Sequence, residues 1–482
     1  MADIQNIIKA IQNIMRKDAG VDGDAQRLSQ LVWMLFLKIF DDREKNHEYI
    51  DPTYRSPIPE HLRWRSWAAD QEGMTGEELH SFIDKELFPA LKNLPLGNVE
   101  SSAGIVRNVF TDSYNYMKNG TLIRQVVNKI QEINFNKKDD RHQFGDLYEK
   151  LLKDLQSAGN AGEFYTPRAL TKFVVEMVAP KLGEKVLDPA CGTGGFLVNV
   201  LEYVRAHEVK TAANEKKLEA SVHGVELKPL PHLLATTNFM LHDVEIPSTV
   251  RRDDMLAKPL AHYGPSDRVD IIVANPPFGG VVQDGTQANF PSELRTKDTA
   301  LLFLILFIHL LKPQGRAGIV LPDGVLFGEG VASKIKEKLL TECNVHTIVR
   351  LPQGVFAPYA GVNTNLVFFE NGTPTKEIWY YAMPLPEGLR QYSKGTPIKD
   401  SEFDVVRRSL GVGDAGRQKR KESGRMWKVS IEEIRARNYN LDFKNPNGPA
   451  AAEYKTLKVL LEQIKKTEKD VTKLLDELQS EV

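Results

Sequence analysis

Between about Gly162 and Glu370, short apolar runs rich in β-branched residues alternate with stretches of helical character, and this alternation limits the possible folds more than any other feature of the chain. KVLDPACGTGGF is an apolar run ending in a glycine loop, SVHGVEL ends in an acid, and RVDIIVANPPFGG runs into a turn. GRAGIVLP, VHTIVRLP and NTNLVFFE are further runs bounded by Gly, Pro or Asn. Helical stretches over Phe196–Val209 and Ser333–Thr341 lie between them. Such a pattern predicts an α/β domain with a mostly parallel sheet, which binds its ligands at the carboxyl ends of the strands. The unusual residues of the chain fall at those predicted ends.

The flanks read differently. Residues 1–155 predict a helical N-terminal domain. Leu28, Leu31, Leu35 and Ile39 recur at helical spacing, as do Phe144, Leu147, Tyr148, Leu151, Leu152 and Leu155. The stretch DPTYRSPIPEHLRWRSW between them reads as loop-rich. The α/β domain is assigned to 156–385, with EIWYYAM as one more strand. Residues 386–448 read as a basic linker region. Within it, 407–425 holds seven basic and two acidic residues among four glycines, either a solvated linker or a phosphate-contacting loop. Residues 449–482 predict a coiled-coil-like helix, because Leu457, Ile464, Val471 and Leu478 are spaced by seven. Such a seam needs a partner.

Composition excludes several classes. Lys and Arg total 63 against 64 Asp and Glu, a net charge of −1, so the chain is no uniformly basic coat for a polyanion. Two cysteines, Cys191 and Cys343, make no disulfide framework and fit a reducing compartment. The apolar stretch Leu301–Leu311 is too short to span a bilayer and reads as a buried core helix. No signal peptide is visible, so the expected location is cytoplasmic, with no membrane contact. Neither a P-loop nor His/Cys metal spacing is present, which argues against a motor or nuclease and predicts no metal.

Two segments carry chemistry. VLDPACGTGGF places Asp188, Gly192, Thr193, Gly194 and Gly195 between a strand and a helix, where glycines let backbone approach a ligand and free the helix amides. Glu226 follows at the end of the next strand, where an acid can accept from both ribose hydroxyls. This glycine loop does not match G-x-G-x-x-G, which disfavours NAD as its ligand. In DIIVANPPFGG, Asn275 follows a buried strand, Pro276 and Pro277 stiffen the turn without amide hydrogens, and Phe278 offers a flat apolar face. The Asn275 side-chain oxygen and the Pro276 carbonyl could hold the two hydrogens of a planar amine such as adenine N6. That would turn the nitrogen lone pair toward a methyl group. Neither acceptor titrates near neutrality, so catalysis would rest on positioning and electrostatics.

DPACGTGGF resembles motif I, the S-adenosylmethionine loop of Rossmann-like methyltransferases. The resemblance implies ribose binding by Glu226 and adenine binding by an acid after the third strand, Asp254 or its neighbour Asp253. NPPF resembles motif IV of amino-methyltransferases, and its Phe and its place after the glycine loop resemble the adenine-N6 class. In GEFYTPRAL, Thr166 before Pro167 predicts a helix start with Pro at the first position. The segment also resembles motif X, which implies that Phe164 and Thr166 line the cofactor cavity and that Glu163, Phe164, Tyr165, Thr166, Pro167 and Arg168 close it.

Together, the segments resemble the modification subunit of type I restriction–modification systems over almost the whole chain. The resemblance implies a Rossmann-like methyltransferase core with a helical N-terminal domain and a C-terminal helix. It implies adenine-specific DNA methylation from S-adenosylmethionine on a base flipped out of duplex DNA. It implies as partners a specificity subunit, with two copies of this chain on each, and a motor/nuclease restriction subunit. Cys191 departs from the usual small residue of motif I. A stand-alone RNA or protein-glutamine methyltransferase and a non-catalytic DNA-binding scaffold are the alternative readings.

Overall fold

The computed structural model describes residues 4–95, 101–136, 144–145, 148, 165–244, 247–357, 360–411, 419–447, 467–469 and 471–472. Glu163, Phe164, most of the predicted helix around Leu147–Leu155 and almost all of 449–482 lie outside the described residues.

The strands are β1 (Val186–Asp188), β2 (Val222–Glu226), β3 (Val250–Arg252), β4 (Val269–Ala274), β5 (Leu311–Pro322), β6 (Cys343–Arg350), β7 (Thr364–Asn371), β8 (Glu377–Ala382) and β9 (Met426–Ser430). They form one sheet in the order β3-β2-β1-β4-β5-β7-β6-β8-β9. The pairs from β3 to β5 are parallel, whereas β7 runs antiparallel to both β5 and β6. Helices cover both faces, so the middles of the central strands are apolar and alternate residues enter opposite cores. Ile271 and Val273 pack with the helices Arg168–Val178 and Gly195–Glu208, while Ile272 and Ala274 pack with Thr299–Leu310 and Val331–Glu342. The expected core helix is Thr299–Leu310, capped by the Asp298 carboxylate on Leu301 N at 3.1 Å.

The described residues of 386–448, expected as a basic linker region, include strand and helix packed on the sheet. β9 pairs antiparallel with β8, and Ser430 and Glu433 form a capping box at the start of Ile431–Ala436. Two of the basic residues of 407–425 are committed internally. Arg407 donates to Glu176 at 2.5 Å, and buried Arg420 donates to Leu410 O and Thr347 Oγ1, both at 2.7 Å. These contacts replace the free linker expected at those two positions.

The N-terminal segment is helical, led by the 28-residue helix Gly23–Ile50, in which Leu31–Leu37 are all buried. A helix apolar all round must lie inside a bundle. Helix Pro229–Leu241 of the α/β domain joins the two cores. Its Leu233, Leu234, Met240 and Leu241 pack into the N-terminal core, and its Ala235 and Phe239 pack under the sheet. The Arg43 guanidinium donates to the carbonyls of Met240 and Val244, and Tyr148 Oη donates to Leu234 O at 3.1 Å. Among the described residues no helix is long and apolar enough to cross a membrane.

Candidate active site

The strand order reverses between β1 and β4, and a crevice opens there at the carboxyl ends of the strands. It holds a cavity of about 320 Å³. Asp188, Glu226 and Asn275 reach it from the ends of β1, β2 and β4, and Asp253 and Asp254 follow β3.

The glycine loop is held through its backbone groups, by other backbone and by side chains from three directions. Cys191 N donates to Val225 O at 2.9 Å, and Gly194 N donates to Cys191 O at 2.8 Å. Gly192 and Gly194 have φ of +54° and +78°, in the left-handed region that favours glycine. Gly194 caps helix Gly195–Glu208, whose amino end faces the cavity. From below, Asn238 Nδ2 donates to Thr193 O at 3.0 Å, and Arg168 Nη1 donates to Gly195 O at 2.8 Å.

Acid lines this end. Glu226 Oε2 accepts from Gly192 N at 2.9 Å, and its Oε1 accepts from Lys228 N at 2.7 Å. Asp188 is 1% exposed and makes no ion pair among the described residues. Burial first, and then the nearby Glu226 carboxylate, push the Asp188 carboxyl well above the usual range. Burial likewise pushes the Cys191 thiol well up, so it is a small packing residue rather than a nucleophile. Asp253 Oδ1 accepts from Asp254 N, and Asp254 Oδ1 from Leu256 N, both at 2.8 Å, so the two acids build one turn beside the cavity.

The other end is built on the Asn-Pro-Pro-Phe turn. Asn275 Nδ2 donates to Thr166 Oγ1 at 3.0 Å. Asn275 Oδ1 is buried and accepts from no group among the described residues. Phe278 meets Phe356 edge-on, with centroids 5.6 Å apart at 89°.

Among the expected site residues, the cavity wall includes Thr166, Asp188, Gly192, Thr193, Gly195, Glu226, Asp253, Asp254, Asn275 and Pro277. Gly194 sits behind the loop, against Ala235 and Phe239. Pro276 and Phe278 lie beside the cavity rather than on its wall. Tyr165, Pro167 and Arg168, expected to close the cavity, line a separate cleft of about 150 Å³. Arg168 reaches the glycine loop through its bond to Gly195 O. The helix also starts one residue later than expected, at Arg168, with Pro167 as its cap.

Sequence reasoning missed the loop that follows the turn. Its neck is closed by Thr299 N to Gly280 O and Val282 N to Lys297 O, both 3.1 Å. Val281, Val282, Gln283 and Thr286 then face the cavity. Asn289 Nδ2 ties the loop to Leu256 O and Ala257 O at 2.9 Å. Phe356 was missed too, although its place after the end of β6 is the kind of signal that found Asn275. Among the described residues no group of three or more His, Cys, Asp or Glu is placed to hold a metal ion.

The chain matches the N-6 DNA methylase family over residues 139–455 and the HsdM N-terminal domain over residues 4–130. It is 54% identical over 444 residues to the type I restriction enzyme EcoEI methylase subunit of Escherichia coli, covering 92% of this chain and 90% of that protein. The EcoKI methylase subunit of Escherichia coli strain K12 is 30% identical over 438 residues, 86% of this chain and 77% of that protein. A crystal structure from Vibrio vulnificus YJ016, assigned as a modification subunit of a type I restriction enzyme, superposes with a TM-score of 0.81. It is 41% identical and covers 92% of this chain and 96% of its own. A chain solved in a study of complex assembly and conformational transition of the type I R-M system gives a TM-score of 0.83. It is 36% identical and covers 99% of this chain and 97% of its own.

Proposed function

Since the chain belongs to the N-6 DNA methylase family, in the line of type I restriction–modification methylase subunits, we propose that its cavity binds S-adenosylmethionine and methylates adenine N6 in DNA. One observation carries this reading: Asn275 holds, at the cavity wall, a buried side-chain oxygen with no partner among the described residues. Buried acceptors are normally paired, and an unpaired one next to a ligand cavity fits a donor that arrives with the substrate.

The residues fit the cofactor. Gly192 and Gly194 give a close backbone cradle, Glu226 suits a ribose, and Asp253 or Asp254 suits an adenine amine. Buried Asp188 suits the positive charge of the amino-acid part. S-adenosylmethionine would supply an electrophilic methyl group, its sulfonium sulfur keeping the electron pair of the broken S–CH3 bond and departing as a neutral thioether. Asn275 Oδ1 and the Pro276 carbonyl accept the two amine hydrogens, which localises the nitrogen lone pair for attack. One amine proton then leaves to solvent, with no general base. Phe278 stacks on the adenine, which has left the duplex to reach the turn, and so offsets part of the unstacking cost.

Sequence recognition belongs elsewhere. A net charge of −1 gives no general pull on DNA, and the α/β core is occupied with cofactor and base. A specificity subunit would read the site, with duplex DNA and a restriction subunit completing the assembly. The structural relative drawn from a type I complex supports this reading. The test is the chain assembled with its specificity partner and assayed on duplex DNA, RNA and protein. Methyl transfer to duplex DNA alone is expected, and Asn275→Ala should cut its rate about a hundred- to a thousandfold while cofactor binding stays within about twofold. Near-normal DNA methylation by Asn275→Ala would overturn the assignment.

A further inference from the structure

The side-chain amide of Asn275 has two unlike ends, and only the oxygen end suits an amine. Its nitrogen end is satisfied by Thr166 Oγ1, from a segment 109 residues upstream. A Thr before Pro ordinarily spends its hydroxyl on capping the helix that follows. Here the helix begins one residue later, with Pro167 at the cap position, no side-chain cap, and its carbonyl accepting the first helical bonds from Leu170 N at 3.0 Å and Thr171 N at 3.1 Å. The Thr166 hydroxyl is thereby released to meet Asn275 on the cavity wall.

We propose that Thr166 is a positioning residue for the methyl transfer, which holds Asn275 with its oxygen toward the substrate amine. The inference rests on the reading of Asn275 as the amine acceptor. A hydroxyl both donates and accepts, so the pair alone permits either orientation of the amide. An amine offering two N–H donors selects the orientation with Oδ1 facing it. In that orientation Nδ2 points inward and needs an acceptor, which Thr166 Oγ1 provides. Valine has nearly the shape of threonine and no acceptor. Thr166→Val would leave Nδ2 unpaired whenever Oδ1 faces the amine, and the productive orientation would lose its advantage.

The test is single-turnover methylation by the complex assembled with its specificity partner, at saturating cofactor and duplex, with cofactor affinity measured separately by calorimetry. Thr166→Val should slow transfer about ten- to a hundredfold and move the cofactor dissociation constant less than about threefold. Thr166→Ser, which keeps the hydroxyl, should return the rate to within about threefold of the parent. In an Asn275→Ala background, Thr166→Val should cost less than about twofold more, because its target is gone. A parent-like rate in Thr166→Val overturns the proposal, and so does failure of serine to rescue. A full additional loss in the Asn275→Ala background also overturns it. So does a cofactor constant that shifts as much as the rate, since the hydroxyl would then be a cofactor contact. If Asn275→Ala itself methylates normally, the reading of Asn275 falls with it. A parent-like Thr166→Val beside an inactive Asn275→Ala removes only the role of Thr166.

Discussion

The two ends of the cavity are built on opposite principles. At the glycine-loop end nearly every polar group is already engaged: Gly192 and Lys228 amides on Glu226, the Cys191 amide on Val225, the Thr193 carbonyl on Asn238. At the Asn-Pro-Pro-Phe end a buried acceptor has no partner among the described residues and the prolines remove competing donors. The first end is prepared to receive a shape, the second to receive hydrogens. Substitutions at the first should therefore act on binding, and at the second on rate.

The Asn275→Ala loss of rate is the largest effect this contrast predicts, and an equal loss of cofactor affinity in that variant would break the contrast. Next is Gly194→Val. At φ +78° a β-branched residue is strained, and its Cβ would sit 3.4 Å from both Ala235 and Phe239. Cofactor affinity should fall about a hundredfold by calorimetry, with far-UV circular dichroism unchanged. Glu226→Gln sharpens the point: one carboxylate oxygen becomes an NH₂ facing a backbone N–H, and affinity should fall about tenfold.

The pH dependence is smaller and signed. The folded-state pKa of Asp188 is raised, so ionising it costs stability in the cofactor-free protein. That stability is full below the ordinary aspartate value and is lost as pH rises through the raised one. A cationic ligand favours the carboxylate, so its affinity should climb over the same range. Titrations from the ordinary aspartate range upward should show this slope, and Asp188→Asn should flatten both curves. A slope that survives in Asp188→Asn would assign the effect to another group. Smallest is Asp112→Ala, which removes the ion pair to Arg252 beyond the far side of β3. Both partners are about one-third exposed, so stability should change by less than about 1 kcal/mol and cofactor affinity not at all.

What was legible in the sequence follows the reach of each interaction. β4 is apolar and buried from Ile271 to Ala274 because both faces are covered there, and Asp188, Glu226 and Asn275 each sit at or just after the end of a strand that signals its own end. The Thr166 contact was not legible, because its hydroxyl is locally a cap and its partner is distant in sequence. Neither was the loop 281–298, whose neck closes only in three dimensions. β9 was hidden within a basic stretch, yet Met426, Trp427 and Val429 are buried while Lys428 Nζ reaches Glu377 at 3.2 Å across the strand pair.

Helix Pro229–Leu241 has a consequence for how the molecule comes apart. Leu233, Leu234, Met240 and Leu241 face the N-terminal core, and burying each such side chain is worth about 1.5–3 kcal/mol. Those faces have no shelter if the helical segment melts first. The same thirteen residues floor the glycine loop through Asn238. The helix therefore acts as a shared keel: loss of the amino-terminal bundle strips it of one side, and amide exchange in Pro229–Leu241 should rise together with exchange in Gly23–Ile50 as one cooperative unit. An excised α/β domain would carry a greasy seam and aggregate, rather than persist as a smaller working enzyme.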